Sequence, residues 1–107
     1  MQPFRSLSSL EEKELIPGFF GKMVHTDQLT VAHFRIERGS TLPEHHHVHE
    51  QVTNVVRGEL EMTVDGETRV CKAGDVVVIP SEVPHSARAL SDCRVIDVFQ
   101  PARNDYR

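Results

Sequence analysis

With 107 residues, 38% of them hydrophobic and 26% charged, the chain has apolar material for one modest core and too little length for a second domain. A formal net charge of -4 without a Lys/Arg cluster excludes a groove that neutralises phosphates, so no nucleic-acid partner is expected. No apolar run approaches the roughly 18 residues of a membrane-spanning helix, and MQPFRSLSSL lacks the apolar stretch of a secretory signal, so the expectation is a cytoplasmic protein with no membrane partner.

Ser8 or Ser9, followed by Glu11 or Glu12, has the form of a helix start, but Pro17-Gly18 closes it early. Residues 1–18 therefore read as an N-terminal extension with at most a short helical turn, and residues 19–107 as the folded domain. From Phe19 onward, short runs rich in Val, Ile, Thr and Phe alternate with Gly, Pro and Asp signals, the punctuation of an all-β chain. Between Leu29 and Glu37, the residues Ala32, Phe34 and Ile36 share one face, the period of a half-buried strand.

Leu60, Met62 and Val64 alternate up to Asp65-Gly66, the two-residue signal of a type I′ hairpin, and Val70 continues beyond it. Val76 to Ile79 is a continuous apolar run, which suits a strand covered on both faces. A last strand is expected over Arg94 to Gln100, before Pro101, which cannot extend sheet pairing. Cys71 and Cys93 form no CxxC pair and are expected to be buried free thiols. Many short strands with tight turns imply a sandwich or a barrel, and periodicity does not choose between them.

The segment PEHHHVHEQ holds four of the seven histidines. A solvated polar loop would titrate as a group near neutral pH. A metal site instead uses the strand period: residues two apart share a face with Cα atoms about 6.5 to 7 Å apart, so two imidazoles can converge on one ion. His45 and His47 then ligate together, and His46 faces the opposite side.

Gly39, His45, His47, Gln51 and Gly58 resemble the first motif of the cupin superfamily, with Gln51 where Glu is usual. Gly74, Asp75, Pro80, Pro84 and His85 are similar to its second motif, with Glu82 for the usual Gly and Ala89 for the usual Asn. The resemblance covers roughly Ala32 to Phe99. It implies a double-stranded β-helix, or jelly-roll, barrel holding one divalent metal ion on His45, His47, Gln51 and His85. Zn, Ni, Mn and Fe all suit an imidazole-rich shell.

Glu50 is the rival of Gln51 within the motif. A straight strand from His47 to Gln51 would separate their Cα atoms by roughly 13 Å, so the chain must bend around Val48 to Glu50. Because an amide oxygen is neutral, three His and one Gln leave the full charge of a divalent ion, which welcomes a small anionic substrate. His49 reads as polar rim.

HVHEQ together with VIDVFQPARNDYR looks like the pectin-degradation cupins, which open the ring of 4,5-unsaturated uronates. That resemblance implies roles in substrate contact and catalysis for Asp97, Phe99 and Arg103. Alternation puts Asp97 and Phe99 on one strand face, where a buried carboxylate has two readings. It is either paired to an Arg such as Arg35 or Arg88, or it is a general acid/base tuned by burial and metal. Phe99 is core and Arg103 a solvated tail residue in the plain reading; in the other, Phe99 is a platform and Arg103 clamps a substrate carboxylate. Cupins also include dioxygenases and non-catalytic sugar binders, which stand as alternatives. Val-rich faces and unpaired sheet edges lead to the expectation of a homodimer.

Overall fold

Thr30, Ala32, Phe34 and Ile36 are all buried, and Val31, His33 and Arg35 between them are only half-buried, so the strand period seen in the sequence is realised residue by residue. In the computed structural model, which describes residues 2–107, ten strands follow this logic. They are β1 (Lys13–Ile16), β2 (Phe19–His25), β3 (Thr30–Ile36), β4 (Thr41–His45) and β5 (Glu50–Arg57). The rest are β6 (Leu60–Val64), β7 (Glu67–Cys71), β8 (Val76–Ile79), β9 (His85–Ala89) and β10 (Cys93–Gln100).

Every pairing is antiparallel. One sheet has the order β1-β2-β3-β10-β5-β8 and the other β4-β9-β6-β7. From β3 to β6, and again from β7 to β10, successive strands alternate between the sheets, so the chain winds around a shared interior as a jelly roll. Phe34, Ile36, Leu60, Met62 and Val95 fill that interior. No helix among the described residues is long and apolar enough to cross a membrane.

The hairpin between β6 and β7 turns on Asp65 and Gly66, with φ of 49° and 82°, the two positive values a type I′ turn requires. Cys71 and Cys93 are buried and unbonded to each other. Two features depart from the sequence reading. The Val76 to Ile79 strand is not covered on both faces: β8 is the edge of the larger sheet, pairs only with β5, and leaves Val76 57% and Val78 67% exposed. An unbroken apolar run has no period to show which face is open. Within residues 1–18, the described residues 2–18 contain one 3-10 turn, Leu7–Ser9, and also β1, which hydrogen-bonds to β2 and packs Leu15 and Ile16 on the core. Four residues reading KELI carry little strand signal.

Candidate metal centre

His45 ends β4 and His85 begins β9, and the two are direct partners across the β4/β9 pairing. His47 lies beyond β4, just before a bend at Val48 and His49, and the bend returns the chain to the other sheet at Glu50. The ring centroids of His45 and His47 stand 4.2 and 4.8 Å from that of His85. One nitrogen from each of the three rings lies within 4.8 Å of the others, close enough for small rotamer changes to bring all three onto one ion.

Each ring is oriented by its own neighbourhood. Nδ1 of His45, His47 and His85 faces the carbonyl of Pro43, His49 and Val83 at 2.9, 3.0 and 2.9 Å. A carbonyl only accepts, so Nδ1 of His45 and of His85 donates and their Nε2 keeps its lone pair, the tautomer that ligates a metal; His47 has an oxygen against each ring nitrogen and takes the same tautomer when its Nε2 ligates. Nε2 of His85 is buried without a partner. Burial pushes His85 down to about 4, and burial followed by the Arg103 charge lowers His47, so both rings are neutral at neutral pH. This donor set fits a divalent ion.

Gln51 and Glu50 separate as strand alternation demands. Glu50 is exposed beside Gln100, whereas Gln51 is buried between Phe99 and Ile79. The Gln51 amide nitrogen donates to Thr53 Oγ1 at 2.9 Å, which turns its oxygen toward His47 Nε2, 3.2 Å away. Glu82, where the family usually has Gly, adopts φ of 67° and donates its backbone N–H to the His47 carbonyl at 2.7 Å. The turn survives the substitution. His46 points outward, 3.8 Å from Glu82. His49, expected at a polar rim, is half-buried with its ring edge-on to His47 and Phe99, outside the three-histidine group.

Asp97 sits on β10 opposite Thr53 and Ala32, facing the interior. Neither Arg35 nor Arg88 is its partner: Arg35 pairs with Glu12 at 2.9 Å and Arg88 with Glu61 at 3.6 Å, both away from the interior. Register decides this, because Arg35 lies across from Arg94 and Arg88 across from Glu61, rows that face outward. Burial pushes the Asp97 carboxyl up to about 6, and Thr53, Gln51 and the Arg103 charge pull it part of the way back. Its Oδ1 has no hydrogen-bond partner.

Arg103 is buried rather than solvated. Its backbone N–H donates to Thr30 Oγ1 at 2.8 Å, and its guanidinium lies 4.8 Å from the Phe99 ring centre and 4.0 Å from that of Tyr106. Nε and Nη2 donate to the two oxygens of Asp105 at 3.1 and 2.8 Å. In return, the guanidinium holds the Asp105 carboxyl below its ordinary value. Thr53, Asp105 and Tyr106 were not singled out from sequence; the one available signal was their placement beside Gln51 and Arg103 in the chain. A cavity of about 90 Å³ is lined by His45, His85, Gln51, Asp97, Phe99 and Arg103, with apolar walls that include Leu42 and Met62.

The cupin domain family pattern matches residues 32–99. The chain is 30% identical over 97 residues to the pectin degradation protein KdgF of Dickeya dadantii, with 88% of each chain covered. KdgF from Halomonas sp. superposes with a TM-score of 0.93 at 33% identity over 100% of both chains. An RmlC-like cupin from Shewanella frigidimarina gives a TM-score of 0.95 at 30% identity over 100% of this chain and 97% of that one. The jelly-roll winding, the three-histidine group and these likenesses agree: the chain belongs to the cupin family and resembles its pectin-degradation members.

Proposed function

We propose that this cupin holds one divalent ion on His45, His47, Gln51 and His85 and opens the ring of a 4,5-unsaturated uronate. The observation that carries the reading is the shared cavity. His45 and His85, a buried carboxylate raised to about 6 and an arginine fork stacked on Phe99 converge there, in a chain whose relatives include proteins named KdgF.

When bound, the ion supplies Lewis-acid polarisation of a substrate oxygen. The remaining work falls to the chain. Arg103 presents the guanidinium edge that Asp105 leaves free to the substrate carboxylate, with Phe99 and Tyr106 fixing its plane. Phe99 gives the sugar ring a flat wall. Asp97, poised between its charged and neutral forms, moves the proton: one leaves the ring hydroxyl and one is delivered to the enol carbon as the ring C–O bond breaks. The product is an open-chain keto acid. No electrons enter or leave, so no redox cofactor takes part.

The test is to incubate metal-loaded protein with unsaturated galacturonate and follow the enol absorbance. Loss of absorbance that disappears in Asp97→Asn is expected. An unchanged spectrum at saturating metal rejects the activity, and thermal stabilisation by the sugar without product assigns the chain to non-catalytic binding instead.

A further inference from the structure

Arg103 belongs to a chain end, residues 101–107, that lies beyond β10 and pairs with neither sheet. Its guanidinium bonds to Asp105 and stacks on Tyr106, both within that same segment. These contacts shape the segment without placing it on the barrel. The 3-10 turn Asn104–Tyr106 is three residues long, too short to hold a position by itself. Besides the stacking on Phe99 and the burial of Ala102, two hydrogen bonds join the segment to the barrel at the β2–β3 turn. The Arg103 backbone N–H donates to Thr30 Oγ1 at 2.8 Å, and Arg107 Nη2 donates to the Thr26 carbonyl at 2.9 Å.

Thr30 is suited to carry this load. It is fully buried at the start of β3, in register with His25 on one side and Phe99 on the other. Its hydroxyl oxygen lies 2.8 Å from His25 Nδ1, and in either tautomer of that ring it keeps a lone pair for the Arg103 N–H. The turn is braced as well: Thr26 N donates to the Leu29 carbonyl at 2.8 Å, and Leu29 N to Thr26 Oγ1 at 2.9 Å. The carbonyl that receives Arg107 is thereby fixed on its own turn. Thr26, Thr30 and Arg107 do not line the cavity of the metal centre, so they act on it only through Arg103.

We propose that Thr30 is a positioning residue for substrate recognition: with the Arg107–Thr26 bond as an outer brace, it fixes the backbone from which the Arg103 fork reaches the cavity. The proposal rests on the reading of Arg103 as the clamp for a substrate carboxylate. Misplacing such a group by about 1 Å can cost about 100-fold. Because the chain has one tyrosine and no tryptophan, fluorescence of Tyr106 reports the segment without reference to any reaction.

The metal-loaded full chain is compared with Thr30→Val, which removes the acceptor, Thr30→Ser, which keeps it, and Arg107→Ala at the exposed terminus. Thr30→Val is expected to raise acrylamide quenching of Tyr106 about twofold and KM for the unsaturated uronate about tenfold, with kcat falling less, and Thr30→Ser to stay close to wild type in both. Arg107→Ala should move both in the same direction, KM by about threefold. Wild-type quenching and KM in Thr30→Val, or a Thr30→Ser as impaired as Thr30→Val, overturns the role. If Thr30→Val does not fold, Arg107→Ala decides, and unchanged quenching and KM there overturn it. A wild type that binds the uronate without converting it rejects the ring opening alone, and Kd then replaces KM in the comparison. A wild type that does not bind it removes the clamp and this role together.

Discussion

His47 Nε2 and Gln51 Oε1 face each other at 3.2 Å, a hydrogen bond when the His47 proton is on Nε2 and two opposed acceptors when it is on Nδ1. Ligation through Nε2 requires the His47 proton on Nδ1, where the His49 carbonyl accepts it, and the Gln51 amide nitrogen is committed to Thr53. Two lone pairs aimed at one point repel unless a cation lies within reach of both. Replacing Gln51 by Leu is expected to weaken metal binding about 10- to 100-fold, and replacing it by Glu to tighten it, because the carboxylate adds a charge. Chelator competition measures both; a Leu variant with wild-type affinity removes Gln51 from the shell.

Stability against pH separates the two buried titratable groups of the metal-free protein. His85 titrates at about 4 when folded and at 6.5 ordinarily, so between those values the unfolded chain takes up a proton that the native chain refuses. Its contribution is whole above 6.5 and is lost as pH falls through about 4. Asp97 has the opposite sign: its folded value of about 6 lies above the ordinary 3.8, so its contribution is whole below 3.8, falls as pH rises through about 6, and is fully lost above that. That shift corresponds to about 3 kcal/mol. Asp97→Asn should therefore raise the melting temperature above pH 6, leave it unchanged below 3.8, and steepen the loss on acidification in between. Identical Tm profiles for variant and wild type would contradict this.

Asp105 occupies two nitrogens of Arg103 and so sets its orientation. Arg103→Ala is expected to weaken binding of the unsaturated uronate about 100-fold, as loss of a charged hydrogen-bonding group does. Asp105→Asn should weaken it about tenfold, with KM rising more than kcat falls, because the fork loses its fixed plane while its charge remains. Arg103→Lys should not rescue, since an ammonium lacks the planar fork. Tighter binding by Asp105→Asn would mean that this carboxylate competes with the ligand.

Left-handed backbone at two turns makes two changes of opposite sign. Glu82 holds a left-handed φ of 67°, so Glu82→Gly should stabilise the fold by about 1 kcal/mol. Gly58 has φ of 86°, and a Cβ there would stand 2.2 Å from the Asp92 carbonyl oxygen, so Gly58→Ala should cost about 2 to 5 kcal/mol. Urea denaturation reads both, and a neutral Gly58→Ala would show that the β5–β6 turn relaxes freely.

The sequence by itself determined what is local. Alternation at Ala32, Phe34 and Ile36, the hairpin at Asp65-Gly66 and the HxH spacing of His45 and His47 depend on neighbours within a few residues, and each reads out directly because strand period and turn chemistry are short-range. The bend before Gln51 was legible for the same reason, as a matter of reach along one stretch of chain.

Tertiary structure decided everything that turns on which strand lies beside which. His85 joins His45, 40 positions earlier in the chain, because β4 pairs with β9, and Arg35 and Arg88 leave Asp97 because their rows face outward. Val76 and Val78 are open because β8 ends a sheet, and Arg103 is anchored because its chain end folds back on Thr30 and Phe99. Burial of a face and the partner of a charge are properties of packed pairs of strands, and a single strand's residues carry only half of each pair.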